Sequence, residues 1–150
     1  MTAAAGNTST GARPWPQILA LVFGAVYLLV GIVGFFVTGF DNFADNSQHE
    51  MLLFFMINPL HNVVHIVIGL AGLLLARTLA GARTYGWLLA VGYGAAFIYG
   101  VIAVGKDWDF LNLNWADNIL HLVTAIVGAV IAFGPVKTVT TERGRNASLR

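Results

Sequence analysis

The hydrophobic pattern of the chain consists of four long apolar stretches separated by short polar segments. The stretches cover about residues 17–39, 59–79, 84–105 and 115–134. A helix needs about 20 mostly apolar residues to cross the hydrocarbon core of a bilayer, where each backbone hydrogen bond must be made internally. The pattern therefore predicts an all-α integral membrane protein with four spans. Residues 1–16 are expected to form a disordered tail and residues 136–150 a second tail.

The composition narrows the class of protein further. Of the 150 residues, 57% are hydrophobic and 10% are charged, against roughly 45–50% and about 25% in soluble domains. The formal net charge is +1 and there are no cysteines. These values argue against an ordinary soluble domain and a nucleic-acid binder, and they exclude disulfides and thiolate metal sites.

The distribution of charge predicts the orientation of the chain. Seven of the eight Lys and Arg residues fall on one side of a four-span arrangement, and only Lys106 falls on the other. Six of the seven acidic residues share the side of Lys106, and Glu142 alone does not. Because Lys and Arg in short loops are retained in the cytoplasm, both termini are predicted to be cytoplasmic.

An internal repeat relates the two halves of the chain. A shift of 66 residues aligns four residues in the first apolar stretch and its following loop with identical residues in the third stretch and its loop. A shift of 56 residues aligns five residues in and just before the second stretch with identical residues in and just before the fourth. The first set is Tyr27, Gly34, Gly39 and Asp41 on Tyr93, Gly100, Gly105 and Asp107; the second is Asn58, Asn62, His65, Val67 and Gly72 on Asn114, Asn118, His121, Val123 and Gly128. Both units begin and end on one side of the membrane. The repeat therefore predicts a four-helix bundle of two tandem hairpins, related by a pseudo-two-fold axis along the membrane normal.

The first hairpin carries ten extra loop residues, which end in the apolar segment 51–57. Seven apolar residues cannot span a bilayer. We expect this segment to lie in the outer interface or to cover the mouth of the bundle as a lid. An early, kinked start of the second span at Pro59 is the alternative.

Two related motifs open the second and fourth helices. They are the segments Asn58-Pro-Leu-His61-Asn62-Val-Val-His65 and Asn114-Trp-Ala-Asp117-Asn118-Ile-Leu-His121. Asn58 and Asn114 are predicted helix caps, and Asp117 can complement the helix dipole.

Capping does not account for the polar residues deeper in these helices, which are predicted to form a polar centre. They are Asn62, His65, Asn118 and His121. The simplest construction places the second and fourth helices side by side, with His65 facing His121.

Three interpretations of this centre are open. It could be an interhelical hydrogen-bond network that fixes the helix register. It could hold a divalent metal through His61, His65, Asp117 and His121, or a haem b through two opposed histidines. It could also belong to a proton or small-solute path, since ionisable groups within spans often line one. No cofactor is favoured.

The two motifs resemble the signature of a bacterial family of four-span membrane proteins that is catalogued as a domain of unknown function. The resemblance covers about residues 15–135. It implies a four-helix fold in the bacterial inner membrane and carries no catalytic assignment. The layout is also loosely similar to that of DoxX-type membrane proteins, which implies nothing about chemistry.

The sequence thus favours a small accessory or assembly component of the membrane over an enzyme. No phosphate-binding glycine loop, serine triad or pair of catalytic carboxylates is recognisable. A metal- or haem-binding redox subunit and a transporter are the alternatives. The expected partner is the lipid bilayer, with a membrane-protein complex or a homo-oligomer as further possibilities and no nucleic acid. The small residues Gly92, Ala96 and Gly100 of the third helix suit close packing within the bundle or a dimer face, and packing within the bundle is favoured.

Overall fold

Four α-helices and one short β-hairpin make up the fold in the computed structural model, which describes residues 12–47 and 49–136. The elements in chain order are α1 (Trp15–Thr38), β1 (Met51–Leu52), β2 (Phe55–Met56), α2 (Pro59–Leu75), α3 (Leu79–Ala103) and α4 (Trp115–Phe133). The prediction of an all-α fold with four helices is confirmed. Most of the two predicted tails, 1–16 and 136–150, lies outside the described residues.

Three of the four helices, α1, α3 and α4, are long and apolar enough to cross a membrane. Helix α2 is also apolar but has only 17 residues, which makes it roughly 26 Å long at 1.5 Å per residue. It is therefore somewhat shorter than the hydrocarbon core of about 30 Å. The fold is accordingly that of a membrane protein with at least three helices suited to the bilayer.

Local capping sets where α2 ends and α3 begins. The Thr78 hydroxyl accepts a hydrogen bond from the backbone N–H of Gly81 at 3.0 Å, so that α3 begins at Leu79. Helix α2 consequently ends at Leu75, before the end of the apolar stretch at 79. The apolar pattern placed the third helix from residue 84 because Gly81 and Arg83 interrupt it.

Glycines bring the helices together as two close pairs, α1 with α2 and α3 with α4. A Cβ atom at Gly24 of α1 would lie 2.8 Å from the backbone nitrogen of Leu73 of α2. A Cβ atom at Gly86 of α3 would lie 2.6 Å from the backbone nitrogen of Ala132 of α4. Such distances are shorter than van der Waals contact, so these backbones can approach only where a side chain is missing.

The sequence predicted that the second and fourth helices lie side by side with His65 facing His121. That prediction is wrong. Across the described residues, no Cα atom of α2 comes within 8 Å of one in α4, whereas α1 and α3 do approach each other. The rings of Tyr27 and Tyr93 stack there, with 5.1 Å between their centroids. Two large aromatic rings occupy the middle of the bundle, so that α2 and α4 lie on opposite sides of it.

Polar side chains tie the helix ends together at the end of the bundle where α1 begins. The Gln17 side chain donates to the carbonyl of Ala76 at 3.0 Å. The Arg83 guanidinium donates to the carbonyls of Ala132 and Gly134 at the end of α4. A cation suits this position because the last carbonyls of a helix lack backbone donors and carry partial negative charge.

The β-hairpin is attached to the opposite end of the bundle. The side-chain amide of Asn114 donates to the carbonyl of Phe54 at 2.9 Å, and the backbone N–H of Met56 donates to Asp117 Oδ2 at 3.2 Å. The Asn58 amide joins the two loops by donating to the carbonyl of Phe110 at 2.9 Å. The apolar segment 51–57 is therefore a hairpin held against the start of α4.

Candidate functional site

The middle of the bundle contains a cluster of five rings, which we call the aromatic–imidazole centre: Tyr27, His61, His65, Tyr93 and His121. All five side chains are buried. Tyr27 lies 5.2 Å from His65 and Tyr93 lies 5.4 Å from His121, measured between ring centroids. Since each tyrosine also stacks on the other, the centre joins the α1–α2 pair to the α3–α4 pair.

The third histidine, His61, extends the centre on α2. Its ring is 4.5 Å from that of His65, one turn further along the same helix, and 6.1 Å from that of His121 on α4. The structure therefore brings together all three histidines that the motifs single out. The ring contact that it records between α2 and α4 is His61 with His121.

A hydrogen bond connects the two helix pairs next to the stacked rings. The hydroxyl groups of Tyr27 and Thr124 lie 2.6 Å apart, and both residues are buried. A phenol in an apolar interior needs such a partner, because an unpaired hydroxyl there is costly. Tyr27 is thus fixed by a ring contact and a hydrogen bond, both of which reach the α3–α4 pair.

The two asparagines of the predicted polar centre occupy a different place, inside the helix pairs. Asn62 faces Gly34 of α1, and Asn118 faces Gly100 of α3 so closely that a Cβ atom on either glycine would overlap the amide. Asn62 Nδ2 donates to the Thr38 hydroxyl at 2.9 Å. Each asparagine therefore packs against the neighbouring helix of its own pair.

Asn58 and Asn114, the first residues of the two motifs, cap the starts of α2 and α4. Asn58 Oδ1 accepts a hydrogen bond from the backbone N–H of His61 at 2.9 Å, and Asn114 Oδ1 accepts one from Asp117 at 3.0 Å. Asp117 Oδ2 accepts in return from the backbone N–H of Asn114 at 3.0 Å, which completes a capping box. The caps fix the first turns of α2 and α4, and with them the depth of the histidines.

The proposed metal ligands do not form a metal site, although three of them, the histidines, lie close together. Among residues 12–47 and 49–136, no group of three or more His, Asp and Glu side chains is placed to hold a metal ion. Asp117 Oδ2 is engaged by two backbone N–H groups, those of Asn114 and Met56. The set His61, His65, Asp117 and His121 therefore does not fit a metal.

Two cavities flank the centre, one between α2 and α3 and one between α1, α4 and the hairpin. Their volumes are about 110 and 280 Å³, below the roughly 300–1,000 Å³ that small-molecule sites occupy. Both are lined by His65 and His121. Neither has room for a haem, whose flat macrocycle would have to lie between two imidazoles.

Sequence reasoning assigned no role to Asp109, which it counted only among the acidic residues on the side of Lys106. The side chain is buried: Oδ2 accepts from the backbone N–H of Leu113 at 2.7 Å, and Oδ1 accepts from Leu111 at 3.2 Å and from the Tyr99 hydroxyl at 3.2 Å. Asp109 therefore organises the loop before α4. The signal was available in principle, since Asp readily bonds backbone N–H groups just ahead of it.

The fold and this centre define a helical membrane protein whose buried polar groups lie between its helices. The chain belongs to the family of the domain of unknown function DUF4383, whose model matches residues 17–134 and so includes the whole aromatic–imidazole centre. Searches of curated proteins and of solved structures found no match to the chain.

Proposed function

We propose that the protein is a four-span bundle of the bacterial inner membrane that acts as a small accessory or assembly component of a membrane complex. Both termini lie in the cytoplasm, and the two hairpins are related by a pseudo-two-fold axis along the membrane normal. In this proposal the aromatic–imidazole centre has a structural role, which is to lock the hairpins together. The likeness of layout to DoxX-type proteins stays a hypothesis.

Equivalent contacts in the two hairpins support the pseudo-two-fold axis. The pairs Tyr27–His65 and Tyr93–His121 have ring separations of 5.2 and 5.4 Å. The equivalent glycines Gly39 and Gly105 also share a backbone conformation. Their φ values are 61° and 75°, in the turns after α1 and α3. Chance similarity of apolar helices would not reproduce these polar and turn positions.

The single observation that carries the structural role is the bridge from Tyr27 to the second hairpin. Tyr27 stacks on Tyr93 and shares a hydrogen bond with Thr124. In lipid the hydrophobic effect does not drive helices together, so interhelical packing and hydrogen bonds must supply the association. The aromatic–imidazole centre joins the two helix pairs in the middle of the bundle and so meets that need.

The outer surface of the bundle supports a role in an assembly. Large apolar side chains are exposed on every helix, for instance Phe36 on α1, Leu74 on α2, Val91 on α3 and Ile119 on α4. Such a surface suits lipid or the helices of another membrane protein.

Site-specific photo-cross-linking in the membranes of the producing cells tests this proposal. A photoreactive amino acid is placed at each of the four exposed positions, Phe36, Leu74, Val91 and Ile119. A component of a complex has one face covered by protein and the others by lipid. We therefore expect a discrete protein adduct from one or two positions and lipid adducts from the rest. Lipid adducts alone from all four positions would contradict the proposal.

A further inference from the structure

The cavity between α1, α4 and the β-hairpin is almost wholly apolar. Its volume is about 280 Å³. Apolar side chains from all three elements form its wall, namely Val26 and Val30 of α1, Leu120 of α4, and Leu52 and Phe55 of the hairpin. The cavity is therefore a slot for an apolar group.

The polar residues beside the cavity are largely engaged elsewhere. The Tyr27 hydroxyl pairs with Thr124, and Asp117 Oδ2 accepts from two backbone N–H groups. The Nδ1 atoms of His65 and His121 have no partner in the described part of the chain, but they have almost no accessible surface. A polar ligand would lose its hydrogen bonds to water here without replacing them, which is costly.

The cavity reaches the surface of the bundle between α1 and the hairpin. Val26 and Leu53 both line it, and they are 50% and 78% exposed. Val26 is the twelfth of the 24 residues of α1 and so lies in the middle of that helix. In a membrane-spanning helix this level faces the hydrocarbon core, with the head groups beyond the helix ends. The cavity therefore opens towards acyl chains.

The size and polarity of the cavity argue against other contents. Apolar cavities stay dry, so water is not expected to fill it. An empty cavity leaves its lining atoms without partners for dispersion contacts. A helix with its side chains is about 10–12 Å across, so that one turn occupies roughly 400 Å³ or more. The cavity is too small for a partner helix and suits a single flexible chain.

The internal repeat supplies an equivalent groove for comparison, between α2 and α3. The shift of 66 residues aligns Val26 and Val30 with Gly92 and Ala96, which line that groove. Its volume is only about 110 Å³, and none of the described residues that line it belongs to the hairpin. The longer loop of the first repeat therefore places a cover over one of the two grooves.

We propose that the covered cavity binds the end of one acyl chain of a bilayer phospholipid, which enters beside Val26 and packs against Val30 and Leu120 under the hairpin. Only the hydrocarbon chain is recognised, so the head group is not selected. This site requires that the chain is embedded in a membrane and does not require the accessory role proposed above. Cross-linking to a protein partner tests that role separately.

Photo-cross-linking with a labelled lipid tests the proposal. The full-length protein is placed in nanodiscs with a phosphatidylethanolamine that carries a diazirine near the methyl end of one acyl chain, and the adducts are located by mass spectrometry. Tyr27 and Ile57 line the cavity and are only 5% and 2% exposed. A chain that stays outside does not reach them. We expect adducts at these two residues in addition to adducts on the exposed faces.

A second lipid tests what is recognised. A phosphatidylglycerol with the same labelled chain is expected to give the same adducts at Tyr27 and Ile57, because its anionic head group lies outside the cavity.

A pair of matched variants locates the site. Val30→Phe fills the cavity and is expected to abolish the adduct at Tyr27, whereas Val91→Phe makes the same change on an exposed face of α3 and should preserve it. Ala96→Phe fills the equivalent groove between α2 and α3 and should also preserve it. Circular dichroism and gel filtration establish that each variant is folded.

Three results would overturn the proposal. One is a folded wild-type protein with lipid adducts on exposed residues only, which would leave the cavity without a lipid chain. Another is an equal yield at Tyr27 in the Val30→Phe and Val91→Phe variants, or a loss confined to Ala96→Phe. The third is labelling of Tyr27 by only one of the two lipids, which would mean that the head group is recognised.

Discussion

The side-chain amide of Asn118 lies directly against the Cα atom of Gly100, with no space for a Cβ atom between them. Asn118 sits one turn into α4 and is buried, so its large polar side chain needs a gap in the facing helix. Gly100 provides that gap on α3. The same relationship links Asn62 to Gly34 across α1 and α2. These contacts set the register within each helix pair.

Replacing Gly100 with alanine is expected to destabilise the protein by about 1–3 kcal/mol, because the added methyl group must displace the Asn118 amide. The measurement is reversible unfolding in mixed micelles with increasing denaturing detergent.

Gly94→Ala is the matched control for this change. It lies on the same helix, and a Cβ atom there would have no neighbour within 4 Å among the atoms considered. Because alanine is the better helix former, the control should be neutral or slightly stabilising. Equal losses in the two variants would show that the Asn118–Gly100 contact does not set the register.

The bridge between the hairpins is tested by a double-mutant cycle on Tyr27→Phe and Thr124→Val. Each change removes one hydroxyl group of the 2.6 Å pair and little else. Interhelical hydrogen bonds in membrane proteins contribute about 0.6 kcal/mol on average and up to about 1.7. We expect a coupling free energy within that range.

Thr84→Val serves as the control partner in the cycle. The Thr84 hydroxyl bonds to the carbonyl of Ala80 within its own helix and is exposed, whereas the Tyr27–Thr124 pair is buried. It should show no coupling with Tyr27→Phe. A coupling free energy of zero between Tyr27→Phe and Thr124→Val would show that their hydrogen bond does not help to hold the hairpins together.

The attachment of the hairpin depends on Asp117. Replacing it with asparagine exchanges one carboxyl oxygen for an amide nitrogen and weakens an acceptor shared by two backbone N–H groups. We expect a loss of about 0.5–2 kcal/mol, the range for a lost helix cap, together with faster hydrogen exchange at Met56. Asp107→Asn makes the same substitution at an exposed position and should leave that exchange rate unchanged. Similar exchange in both variants would mean that Asp117 does not hold the hairpin.

Much of the fold was predictable because helix signals in this chain are local. Asn58 before Pro59 and Asn114 with Asp117 three residues later are sequence-level start signals, and α2 and α4 begin where they indicate. The start of α3 was missed because its cap, Thr78, lies within the second apolar stretch and before the start of the third at residue 84. Hydropathy measures the solvent that a segment prefers, whereas the end of a helix is set by which side chain accepts its first N–H groups.

The site was predictable only in part, since Asn62 and Asn118 of the predicted polar centre lie inside the helix pairs and only its histidines belong to the aromatic–imidazole centre. The repeated positions identified His65 and His121 together with Tyr27 and Tyr93, but not which helices meet. The position of Tyr27 against Tyr93 depends on how two rings pack in three dimensions, and a periodic pattern carries no such information. The β-hairpin could not be predicted from the sequence either. Its strands have only two residues each, and Leu53 in its turn adopts a left-handed conformation with φ of 58°.

Cysteine labelling tests most directly whether the chain crosses the membrane four times, with α2 as a true span. The protein contains no cysteine, so one substitution gives one reporter. Ala44→Cys lies in the loop before the hairpin, and Ala80→Cys lies at the start of α3; both positions are exposed. We predict that a membrane-impermeant maleimide labels Ala44→Cys from outside the inner membrane and labels Ala80→Cys only after the membrane is opened. Labelling of both variants from the same side would contradict the four-span account, because α2 would then not cross the bilayer.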